Sequence, residues 1–163
     1  MKESTRKVLM SSETDEWETP KGFFTKLDSE FIFTLDPCCT AENTKVRQNF
    51  FTEADNGLEQ SWKGHTVFMN PPYSQCALWL EKACREAYTH NVTTVALIPS
   101  RTDTKYWHDY VMKAWEVRLV KGRLTFKNPN KPKQNPAPFP SAVVVFKKKV
   151  ALLPPVFCSM DRV

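Results

Sequence analysis

With 163 residues, 41% of them hydrophobic and 25% charged, the chain is long enough for one domain with a real core and too apolar to be disordered. Its 23 Lys and Arg against 18 Asp and Glu leave a formal charge of +5, which suits a polyanionic partner without requiring one. No apolar run nears the roughly 20 residues of a membrane helix, and the start Met1-Lys-Glu-Ser-Thr-Arg-Lys opens no secretory signal, so a cytoplasmic protein away from membranes is expected.

Residues 1 to about 14 are polar and aperiodic and read as a flexible N-terminal arm. Thr19-Pro20 is a helix start, with Thr able to cap and Pro suited to the first helical position; Phe23, Phe24 and Leu27 give the helix, to about Ser29, an inner face. Phe31 to Leu35 reads as a buried strand ending at Asp36-Pro37. Cys38 to Asn56 has no clear period, and Leu58 to Lys63 is a short turn or helix before Gly64. His65 to Met69 is a second strand, stopped by Asn70-Pro71-Pro72-Tyr73. A helix follows from about Ser74 to Thr89, then a strand from Val92 to Ile98 stopped by Pro99.

Asp103 to Lys113 reads as helical. Val117 to Val120 and Leu124 to Phe126 read as two strands about a Lys121-Gly122 turn. Asn128 to Pro140 is a long loop rich in proline and asparagine, Ser141 to Lys147 a last strong strand, and residues 151–163 an apolar, proline-broken tail. Strands alternating with helices predict a single α/β domain over about 15–150 with a mostly parallel sheet, whose functional residues gather beyond the carboxyl ends of the strands.

Cys38, Cys39, Cys76, Cys84 and Cys158 form no Cys-x-x-Cys pair, and His65, His90 and His108 show no metal-ligand spacing, so free thiols and no metal are expected. The strongest chemical signal is Asn70-Pro71-Pro72-Tyr73 between a strand and a helix. The exocyclic amine of adenine is a poor nucleophile because its lone pair is delocalised into the ring. Two hydrogen-bond acceptors on its hydrogens draw that pair back onto nitrogen. The Asn70 side-chain oxygen and the Pro71 carbonyl are such acceptors, the prolines stiffen the corner, and Tyr73 offers a face for stacking. A base inside a duplex must first be rotated out to reach such a pocket.

Glu16-Trp-Glu-Thr-Pro20, Leu35-Asp-Pro37, Asp55-Asn-Gly-Leu58, Asn70-Pro-Pro-Tyr-Ser74, Leu97-Ile-Pro-Ser-Arg-Thr-Asp103 and Gly122-Arg-Leu-Thr-Phe126 follow one another in an order that resembles the phage-type DNA N6-adenine methyltransferases, the small Dam family. The similarity runs from about Asp15 to Lys147. It implies a Rossmann-like methyltransferase fold, S-adenosylmethionine as methyl donor, double-stranded DNA as partner and a phage or prophage origin within a bacterial host. By that resemblance Asn70, Pro71, Pro72 and Tyr73 form the catalytic corner. Trp17, Thr19, Pro20, Asp36 and Asp55, with Asn70, surround the cofactor. A helix N-terminus at Thr19-Pro20 would offer backbone N–H groups to the methionyl carboxylate.

Phe126 would cover the second face of the base opposite Tyr73, and Arg101, Arg123, Lys127, Lys131 and Lys133 would contact DNA. Plain structural readings stand beside several of these: a core tryptophan at position 17, a turn aspartate at 55, a core phenylalanine at 126. The turn Pro37-Cys38-Cys39-Thr40-Ala41 departs from the superfamily pattern by holding no glycine. Rival readings are a DNA-binding protein of this fold without catalysis, and a methyltransferase acting on RNA or on protein glutamine.

Overall fold

The computed structural model describes residues 17–127, 134–151 and 153–162. Phe23, Phe24 and Leu27 recur on one side of helix α1 (Lys21–Phe31) and are buried, which gives the helix its packing face. Pro20 takes the N-cap position with extended backbone and accepts from the Phe24 N–H. Thr19, expected as the cap, turns its hydroxyl elsewhere. The helix closes at Ile32 in the left-handed region, φ 55, whose N–H donates to the Asp28 carbonyl. That reversal shortens the strand expected over Phe31 to Leu35. Only Leu35 and Asp36 bridge to neighbours, in parallel with Val67 and Phe50.

The remaining elements are β1 (Thr66–Met69), α2 (Cys76–His90), β2 (Thr93–Pro99), α3 (Lys105–Asp109), β3 (Glu116–Lys121), β4 (Ser141–Phe146) and β5 (Val156–Asp161). The sheet order is β1-β2-β4-β3-β5. The pairings β1/β2 and β3/β5 are parallel, and β2/β4 and β3/β4 antiparallel. The sheet is therefore mixed, which corrects the expectation of a mostly parallel one. The cause is β4, which follows the long 122–140 connection and enters the centre of the sheet against both neighbours.

Alternate residues of the central strands bury against two different layers. Val67, Met69, Ala96, Ile98 and Val144 join α2 and α3 residues such as Leu80, Ala83 and Trp107. Phe68, Val95, Leu97, Val143 and Val145 join Phe23 and Leu27 of α1. A strand covered on both faces has no reason to alternate, and β4 is buried along its whole length.

Two further expectations change. The helix foreseen over Asp103 to Lys113 is the short α3 followed by a 3-10 turn at Val111–Lys113. The strand foreseen at Leu124 to Phe126 does not form: the chain turns at Gly122, φ 74, and Leu124 and Phe126 sink into the core beside α1. The free edge of β3 is taken instead by β5, contributed by residues read from sequence as part of the apolar tail. No helix among the described residues is long and apolar enough to cross a membrane.

Candidate active site

Asp36, Asn70 and Ser100 follow the carboxyl ends of three adjacent, parallel segments: the Leu35 bridge, β1 and β2. Beside them opens a cleft of about 1020 Å³ walled by Trp17, Thr19, Asp36, Asn70, Pro72 and Trp79, among others.

The Asn70 amide is fully engaged. Its nitrogen donates to the Trp17 carbonyl and, at 3.2 Å, to the Thr19 hydroxyl. Its oxygen accepts from the Tyr73 hydroxyl at 3.1 Å. A backbone carbonyl only accepts, so the amide nitrogen must be the atom that faces Trp17, and the oxygen's direction is fixed by the network. Burial pushes the Tyr73 phenol well above its ordinary range, so it stays a neutral donor. Pro71 is buried behind this corner.

Asp36 is 4% exposed. Desolvation pushes its carboxyl up to about 6, although the Lys45 and Cys38 backbone N–H groups and the Lys45 charge pull the other way. Lys45 itself donates to Glu18 at 2.7 Å. The neighbouring thiols are held protonated by burial, which pushes Cys39 up to about 12 and Cys38 well above its ordinary value. Asp36 is thus the titrating group of its turn.

The glycine missing from that turn is supplied from across the cleft. A Cβ built on Gly57 would lie 2.0 Å from the Pro37 carbonyl oxygen, so only glycine lets the 56–58 segment approach. The segment is pinned from behind: Trp62 donates its indole N–H to the Gly57 carbonyl at 3.0 Å, and buried Lys82 donates to the Gln60 carbonyl at 2.7 Å. Lys82 is also paired with buried Glu86 at 2.6 Å. Gly57 was visible in the sequence only as part of a turn, because its neighbour Pro37 is 20 positions away.

The indole N–H groups of Trp17 and Trp79, both in the cleft walls, are buried without a partner among the described residues. An unpaired buried donor costs about 1–3 kcal/mol, so a wall carrying two of them suits a ligand that brings acceptors. Glu18, Asp36, Glu42 and Glu53 line the same cleft with one cation, Lys45, which is paired with Glu18, so the lining carries an acidic excess suited to a cationic ligand.

A family model described as DNA N-6-adenine-methyltransferase (Dam) matches residues 6–158. The chain belongs to that family. Similar proteins include the DNA N-6-adenine-methyltransferase of Haemophilus phage HP1 (strain HP1c1), 35% identical over 127 residues that cover 76% of this chain and 73% of the phage protein. The protein of the same description from Escherichia phage T1 is 30% identical over 113 residues, 68% of this chain and 47% of its own length.

Within this Dam-family chain the structure gathers Trp17, Thr19, Asp36, Asn70 and Pro72 around one cleft, with Tyr73 bonded to Asn70. Pro20 stands just outside, at the head of α1. Asp55 is turned away from it: its carboxylate accepts from the Thr52 N–H and hydroxyl, both at 2.8 Å, which holds it below its usual range. That is the turn-aspartate geometry, and Glu53 of the same turn lines the cleft instead.

Phe126 is 1% exposed, packed edge-on against Trp17 at 5.8 Å. The ring against Tyr73 is Phe139, at 5.3 Å and nearly perpendicular. Sequence reading missed Phe139 because it lies in a loop with no periodicity. Arg101, Arg123 and Lys127 are exposed. Arg101 is near enough to Tyr73 for its charge to act on the phenol. Lys127 exchanges two backbone hydrogen bonds with Glu18 at the cleft edge. Lys131 and Lys133 fall outside the described residues, as do residues 1–14. The described residues hold no cluster of three or more metal-ligating side chains, and all five cysteines are free.

Proposed function

We propose that this chain transfers a methyl group from S-adenosylmethionine to the N6 amine of an adenine rotated out of duplex DNA. The observation that carries this reading is the position of the Asn70-Pro-Pro-Tyr73 corner at the end of β1, on the rim of an acidic cleft in a Dam-family chain. We read the fold as Rossmann-like, with its ligands beyond the carboxyl ends of the segment at Leu35, β1 and β2.

The cleft suits the cofactor by chemistry. Asp36 and its neighbouring acids match the positive charges of the donor, and the indoles of Trp17 and Trp79 offer unpaired N–H groups. When bound there, S-adenosylmethionine supplies an electrophilic methyl carbon on a positively charged sulfur. Asn70 Oδ1 and the Pro71 carbonyl accept the two hydrogens of the adenine amine and pull its lone pair out of the ring. Tyr73 stacks on the base, and its hydroxyl holds one lone pair of Asn70 Oδ1 while the other receives the amine. S-adenosylmethionine held beside this corner would supply the methyl group to the nitrogen that Asn70 and Pro71 orient, and the amine's surplus proton would pass to solvent. Holding the reactants in line supplies much of the acceleration, so no covalent intermediate on the protein is needed.

Arg101, Arg123 and Lys127, with Lys131 and Lys133 that follow in sequence, contact phosphates. Incubating unmethylated duplex DNA with tritiated cofactor and analysing the nucleosides tests the reading. Label in N6-methyldeoxyadenosine is expected; label on RNA or protein only, or on nothing, overturns it.

A further inference from the structure

The Asn70 amide carries two hydrogens, and both are accounted for by acceptors on the segment before α1: the Trp17 carbonyl and the Thr19 hydroxyl. Thr19 is 3% exposed, so water does not readily replace that hydroxyl. The segment is itself fixed, by the paired backbone bonds between Glu18 and Lys127 on one side and by Pro20 at the head of α1 on the other. An asparagine amide rotates easily when unclamped, and a half-turn would present the donor NH2, not the acceptor oxygen, to an incoming amine.

We propose that Thr19 is a positioning residue for catalysis: its hydroxyl, with the Trp17 carbonyl, holds the Asn70 amide so that Oδ1 faces the reacting amine. The inference rests on the methyl-transfer reading above. It differs from the expectation that Thr19 contacts the methionine part of the cofactor, because Thr19 then acts through Asn70 and sets kcat, leaving cofactor affinity alone. The Glu18–Lys127 backbone bonds tie the segment that carries the clamp to Lys127, one of the cations assigned above to phosphate contact.

The test compares Thr19→Val, which keeps the shape and removes the acceptor, with Thr19→Ser, which keeps the hydroxyl. Under saturating DNA and cofactor, Thr19→Val should lose kcat by roughly tenfold, the scale of one lost hydrogen bond. Thr19→Ser should stay within about threefold of wild type on the same scale, and calorimetric cofactor affinity should be unchanged in both. Full kcat in Thr19→Val, serine failing as badly as valine, or cofactor affinity falling while kcat holds would each overturn the clamp.

An arm independent of activity uses the 15N-labelled wild-type chain. The Asn70 side-chain amide protons should exchange slowly in wild type and Thr19→Ser, and free, fast-exchanging protons in wild type would overturn the clamp even if the valine variant cannot be folded. A wild type that places no methyl group on adenine sinks the proposed function, and the exchange arm still decides the clamp.

Discussion

Asn70 and Asp36 stand at the ends of two segments joined by a parallel bridge, and they line the same cleft, but their surroundings work in opposite ways. Asn70 is neutral, and each polar atom of its amide has a named partner. Asp36 is an acid taken out of water, held at about 6 by burial against the pull of backbone N–H groups and Lys45. The first arrangement fixes a direction and is indifferent to pH. The second stores unfavourable desolvation that a cationic ligand can relieve. Under the proposed function the contrast separates two tasks: orienting a nucleophile needs geometry, whereas holding a charged donor needs charge.

The largest effect should come from the geometric side. Asn70→Ala should lower methyl transfer to adenine by about 100-fold or more, the scale of losing one preorganised partner in a transition state, with cofactor affinity measured by calorimetry nearly unchanged. Parallel loss of both would erase the distinction drawn between the two residues.

Asp36 sharpens the comparison through pH. A carboxyl whose folded pKa is raised binds more protons in the fold than in the unfolded chain between about 4 and about 6. Its contribution to stability is therefore present at low pH and lost as pH rises through that window. Relative to Asp36→Asn, the wild-type chain should lose on the order of 3 kcal/mol across the window in denaturant titrations. Cofactor affinity should run the other way, weakening about tenfold for each pH unit below about 6 in wild type and staying flat and low in Asp36→Asn. A wild-type affinity without pH dependence would remove Asp36 from the ligand site.

Gly57→Ala attacks the wall that faces Asp36. Its methyl group must displace the Pro37 carbonyl, at a cost of about 1–3 kcal/mol visible as a lowered Tm, together with weaker cofactor binding. Unaltered stability would mean that the two loops separate freely. The smallest effects belong to the exposed cations. Lys127→Ala and Arg123→Ala should each lower the salt dependence of duplex binding by about one unit of log–log slope, leaving the transfer rate at saturating DNA intact.

The place of the corner was legible because it is set locally. A strand, two prolines and an amphipathic helix in succession between Thr66 and His90 dictate where Asn70 sits, whatever the rest of the chain does. Thr19 read as a helix cap, since nothing in its neighbourhood shows that the atom needing its hydroxyl lies 51 positions later. Phe126 and Phe139 are equivalent as letters; only packing shows that the first is sealed against Trp17 while the second meets Tyr73. The hairpin expected after β3 failed for a similar reason. Leu124 and Phe126 are as apolar as a strand requires, but the β3 edge had a competitor in residues 156–161.

The amino-acid order alone determined the α/β class, the apolar faces of α1 and α2, the ends of β1 and β2 and the place of the Asn70-Pro-Pro-Tyr73 corner, because periodicity and proline act over a few neighbouring positions. Tertiary structure decided the reversed β4, the strand at the C-terminal end, the glycine that faces the Pro37 turn and the acceptors that hold Asn70. Each of those depends on which distant segments come into contact, and contact is settled by competition for burial and for hydrogen bonds across the whole chain.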